Sequence, residues 1–86
     1  GELRAYAERA RTLEEIYRVS ILPQAEAAVE SALAAYRVGQ VDYATLLDAR
    51  LSVNRYEIDR VRLASERLQA LAEIEALTRF EIGGGG

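Results

Sequence analysis

One interruption governs what this chain can become. Apolar residues return every three or four positions along its 86 residues, and the rhythm stops at Gly39-Gln40-Val41-Asp42 before resuming. Ahead of the stop run Leu3, Tyr6, Ala10, Leu13 and Tyr17, then Leu22, Ala25, Val29, Leu33 and Tyr36. Behind it come Leu47, Leu51, Ile58, Val61, Leu68 and Ala72, with the small polar residues Asn54 and Ser65 filling two places in the row. Three- and four-residue steps keep side chains on one face of an α-helix. The pattern predicts two arms of about 35 to 40 residues, each roughly 50 to 60 Å long at 1.5 Å per residue. Stripes this long and narrow belong to coiled-coil arms.

The stop itself carries turn chemistry. Gly39 follows Tyr36-Arg37-Val38 and suits the left-handed position that closes a helix C-terminus. Asp42 stands where an N-cap is needed, its carboxylate able to accept from the free amide of Ala44 or Thr45 and to face the positive end of the helix dipole. Val41 before the cap and Leu46 four positions into the helix are spaced for a hydrophobic staple. So short a connection forces the arms side by side. The expected fold is all-α, an antiparallel two-helix coiled-coil hairpin over residues 2–82, with arm 1 over about 2–38, the tip at 39–42 and arm 2 over about 43–82. Pairing outward from the tip would set Leu33 near Leu47, Val29 near Leu51, Leu22 near Ile58 and Leu13 near Leu68. The glycines 83–86 are expected to form a flexible tail and, like Gly1, to be a cloning remnant foreign to the fold.

Two features complicate a simple pair of helices. Arm 2 carries a second apolar row of Leu46, Ala49, Val53, Tyr56, Leu63, Ala70, Ile74 and Leu77, displaced from the first. One row serves arm 1, so the other either widens the core of the pair or meets a further neighbour. Pro23, which lacks an amide donor and crowds the carbonyl of Val19, is expected to kink arm 1 or to end one helix and start another near Ile21-Leu22. The remaining faces carry charges at pairing distance, Glu14 with Arg18, Asp59 with Arg62 and Glu75 with Arg79.

Composition narrows the function classes. All 11 basic residues are Arg, set against 14 acidic ones for a net charge of -3. Interspersed signs of that balance give no footprint for nucleic acid or anionic lipid. The sequence contains no apolar run of bilayer length, so direct membrane insertion by this segment is not expected. With no Cys and no His, neither a disulfide nor a zinc site is available, and no metal or cofactor is expected. A small core without such a staple favours a partner or self-association. Catalysis is not expected, because a base or nucleophile would have to come from Asp, Glu, Tyr, Ser or Thr on a rod with no concave site. Asp48, a turn and a half into arm 2, belongs either to a solvated face or to a surface that attracts cations.

The stretch "YRVGQVDYATLLDAR", preceded by "ILPQAEAAVESALAA" and followed by "LASERLQALAEIEALT", resembles the C-terminal periplasmic hairpin of the TolC-like outer-membrane efflux channels, most closely their heavy-metal and multidrug branches. The resemblance spans residues 14–78 and is most specific at the Tyr-x-Val-Gly turn followed by Asp42-Tyr43 and Leu46-Leu47-Asp48-Ala49. It implies a stave of a trimeric α-helical tunnel, on the periplasmic side of the outer membrane, packed against neighbouring hairpins of the same channel. It also implies that Tyr36, Val38, Gly39, Gln40 and Val41 dock the helical hairpins of a periplasmic adaptor in a tripartite pump, with Asp42 and Tyr43 near the mouth. Some relatives carry a basic residue just past the tip glycine that holds the mouth shut. Val41 stands in that region here, so that contact is not carried over. The β-strands and second hairpin of such a channel are not in this chain. The alternative is a free-standing helical hairpin that homodimerises as an interaction module or scaffold, and the isolated chain is expected to self-associate as two hairpins through its surplus row.

Overall fold

The computed structural model describes residues 1–84, and every one of them is helical except Gly1 and the turn at 38–42. Helix α1 spans Glu2–Ile16 and α2 spans Leu22–Arg37. A five-residue π-helical turn, Tyr17–Ile21, joins them. Helix α3, Tyr43–Gly84, runs for 42 residues. The assembly is an extended all-α rod of 72 × 16 × 14 Å. Helix α3 doubles back along both α1 and α2, so its length, about 63 Å at 1.5 Å per residue, sets the long axis of the rod. Among the described residues no helix is long and apolar enough to cross a membrane.

Of the two expectations for Pro23, the helix boundary is the one found: α2 starts at Leu22 with Pro23 in its first turn, and a π turn joins it to α1. Backbone dihedrals stay helical through the junction, from Ile16 and Tyr17 to Ile21 and Leu22. What changes is the hydrogen-bond ladder: the Leu22 amide donates to the carbonyl of Tyr17, five residues back instead of four. Pro23 then occupies the first turn of α2, where its missing N–H costs least. A π turn absorbs one extra residue per event, and the packed face shows it. Leu3, Ala7, Ala10, Glu14, Tyr17 and Ile21 face α3 at steps of three and four; the adjacent Leu22 restarts the series through Ala25, Val29 and Ala32.

The packed row of α3 is the opposite of the one expected. Leu46 is 3% exposed and Ala70 is buried, and Ala49, Val53, Tyr56, Leu63 and Ile74 are half-buried with them. Leu51, Ile58 and Leu68 are 54%, 58% and 59% exposed, and Leu47 and Val61 are exposed too. The pairings of Leu47, Leu51, Ile58 and Leu68 with arm 1 are therefore not formed, and Leu13 also faces outward. Leu46, four positions past the Asp42 cap, is buried at the start of α3 beside the half-buried Val41, and positions that share its helix face are the ones that lose exposure along the rod. Leu77, although in the same row, is exposed.

Charged residues complete that row. Arg60 sits in it and is held by Glu57 at 2.6 Å and by Glu14 of α1 at 3.4 Å. Glu14 thus pairs across the rod, and Arg18 pairs with Glu15 at 3.6 Å, not with Glu14. The Arg62–Asp59 and Arg79–Glu75 pairs form as expected, at 3.2 and 2.8 Å. Two contacts of Tyr17 with α3 reinforce the middle of the rod. The rings of Tyr17 and Tyr56 lie 6.1 Å apart, and the Tyr17 hydroxyl donates to Asp59 Oδ2 at 3.5 Å. Tyr6 reaches Glu66, whose carboxylate holds the phenol above its ordinary pKa. The buried core is thin: Ala7, Ala10, Leu22, Leu46 and Ala70, three of them alanines that let the backbones approach. Gly83 and Gly84, assigned to a tail by composition, continue α3, and Gly85 and Gly86 lie outside the described residues.

Candidate functional site

The turn is built from backbone hydrogen bonds that leave its outer surface free. Val38 is the C-cap of α2, and Gly39 follows with φ +76°. The Gly39 amide donates to the Tyr36 carbonyl at 3.0 Å, and the Gln40 amide donates to the Ala35 carbonyl at 2.8 Å. Those two bonds constitute a Schellman motif, which satisfies the last carbonyls of a helix and requires a left-handed residue where Gly39 stands.

Asp42 starts the return. Its Oδ1 accepts from the Thr45 amide at 3.0 Å and from the Thr45 hydroxyl at 2.8 Å, and its own carbonyl accepts from the Leu46 amide at 3.4 Å. The Thr45 amide, followed by the Thr45 hydroxyl, holds the Asp42 carboxyl below its ordinary value. Of the two amides considered from sequence, Thr45 and not Ala44 takes the cap. Tyr36 and Tyr43 close the base of the turn, their rings edge-on at 5.9 Å.

The seven residues singled out from sequence thus come together at one end of the rod, but in two layers. Val38, 70% exposed, projects with Gly39 and Gln40 as the outermost surface. Tyr36 and Tyr43 frame it and are exposed as well. Val41 is half-buried beneath it, so it contributes more to the base of the turn than to an outer contact. Asp42 is exposed but committed to Thr45. Asp48 lies on an exposed face of α3.

Chemically this is a rigid knob: an apolar side chain, a bare backbone segment and one amide side chain, with donors and acceptors spread over a few ångströms. Among the described residues no group of three or more Asp, Glu, Cys or His is placed to hold a metal ion. Away from the turn, the Glu14–Arg60–Glu57 cluster is a feature that the sequence reading did not single out. Its signal was the step size alone, since Glu14 and Arg60 fall on the three-four pattern of their arms. No family model, curated protein or solved structure matches the chain.

Proposed function

We propose that this chain is a tunnel hairpin of a trimeric TolC-like outer-membrane efflux channel, an antiparallel two-helix coiled coil with no catalysis of its own. Its turn docks the helical hairpins of a periplasmic adaptor and so couples the channel to a pump. The observation that carries this reading is the turn: Val38, Gly39 and Gln40 project from the end of the rod on a backbone fixed by the Schellman bonds and the Asp42 cap. A preorganised, exposed knob loses little entropy on docking. Cross-rod contacts support the antiparallel pairing, because Tyr17 meets Tyr56 while Tyr36 meets Tyr43. Under this reading the neighbouring staves of the tunnel pack on the exposed row from Leu47 to Leu68, which arm 1 leaves free. Asp42 maintains the turn near the mouth, and Tyr43 supplies an exposed ring there.

The same exposed row favours a second reading, a free-standing hairpin scaffold whose turn is only a turn. Gln40→Ala separates the two. Binding of the purified chain to a purified candidate adaptor is expected to weaken while the melting temperature stays unchanged. Unaltered affinity in both Gln40→Ala and Val38→Asp, with the chain folded, would remove the docking role.

A further inference from the structure

The outward row of α3 reads the same in both directions. Counted from a midpoint between Asp59 and Arg60, Ile58 is as far out as Val61, Asn54 as Ser65, Leu51 as Leu68 and Leu47 as Ala72. All eight positions are exposed. Their steps of four and three residues are those of a coiled-coil seam, on a face roughly opposite the one that packs on α1 and α2.

We infer that this face binds the same face of a second copy, with the two α3 helices antiparallel about a dyad at Asp59-Arg60. In that arrangement apolar meets apolar three times on each side of the dyad, as Ile58 with Val61, Leu51 with Leu68 and Leu47 with Ala72. The two polar interruptions meet each other, Asn54 opposite Ser65, where an amide and a hydroxyl can exchange a hydrogen bond on each side. A self-complementary patch of this kind is what a two-fold homodimer requires. The ends agree with it. The antiparallel register brings the turn of one copy, with exposed Val38 and Tyr43, level with the opposite end of the other, where Leu77, Phe80 and Ile82 are exposed.

This dimer is the state of the isolated chain and does not rest on the channel reading: in a tunnel, neighbouring staves would cover the same face and point their turns the same way, whereas antiparallel pairing sends the two turns to opposite ends.

The chain has no native cysteine, so single substitutions report the pairing directly. Asn54→Cys and Ser65→Cys chains, mixed in equal amounts under mild oxidation, are expected to give the mixed 54–65 disulfide in large excess over either homodimer, since facing seam positions meet the distance a disulfide needs. Predominant 54–54 and 65–65 products would show parallel packing and overturn the proposal. So would cross-linking no faster than that of a Gln69→Cys control. Independently, sedimentation is expected to show loss of the dimer in Ile58→Glu with the helical signal retained, and a dimer that persists in that variant would contradict the assignment. Either failure leaves adaptor docking by the turn to be judged by its own binding experiment.

Discussion

Gly39 has φ +76°, and nothing lies within 4 Å of where a Cβ would stand. A side chain there meets backbone strain without a clash. Gly39→Ala and Gly39→Val are therefore expected to destabilise the fold by about 1 kcal/mol or more, and Gly39→Asn by less, because Asn tolerates the left-handed region. Denaturant unfolding checks the order; equal stability of Val and Asn variants would contradict this conformation. Asp42 makes a pH-dependent prediction. Its folded pKa lies below the ordinary 3.8, so its stabilising bonds to Thr45 are fully present at neutral pH and are lost as pH falls through the folded value. The melting temperature of Asp42→Ala is expected to lie below that of the parent at pH 7, and the gap to shrink once the pH drops below 3.8. Asp42→Asn should cap without that acid dependence. Both residues were legible in the sequence because their chemistry is local: a left-handed C-terminal glycine and an N-cap act over three or four positions.

At the scale of elements, less was legible, and for a physical reason. Both apolar rows of α3 satisfy helical spacing, and their periodicity cannot tell which one faces arm 1. Arg60 and Arg67 also hid the continuity of the packed row, since a charge reads as a break until Glu14 and Glu57 are seen to neutralise Arg60. The spacing of Val41 and Leu46 about the Asp42 cap held the answer, because a residue four positions past an N-cap faces back toward the preceding chain and Leu46 belongs to the packed row. The π turn left a trace as well, in the five-residue step from Tyr17 to Leu22. Removing one residue there should restore an unbroken seam: with Ser20 deleted, Ile21 and Leu22 no longer both compete for the face of α1 and α2. Pro23 would then fall inside a regular helix and cost about 3 kcal/mol. Deletion of Ser20 together with Pro23→Ala is therefore expected to melt higher than deletion of Ser20 alone. Equal melting temperatures would mean that the π turn does not exist to accommodate the proline.

The whole molecule is a rod with a narrow core of small side chains, one finished end and one long uncovered apolar face. Such a body has little stability to spare as a single copy, and association adds to it by mass action. The finished end gives the rod its direction. It is the place where Tyr36, Val38, Gly39, Gln40 and Tyr43 converge without burying one another, and the proposed docking of an adaptor rests on that convergence. The most direct measurement places a cysteine at Gln40 and another at the hairpin tip of a candidate adaptor, and compares the rate of disulfide formation with that of Gln69→Cys on the side of the rod. Selective cross-linking at Gln40 is the expected result. Equal rates at the two positions in a folded chain would contradict the docking role and leave the turn as a reversal of the chain and nothing more.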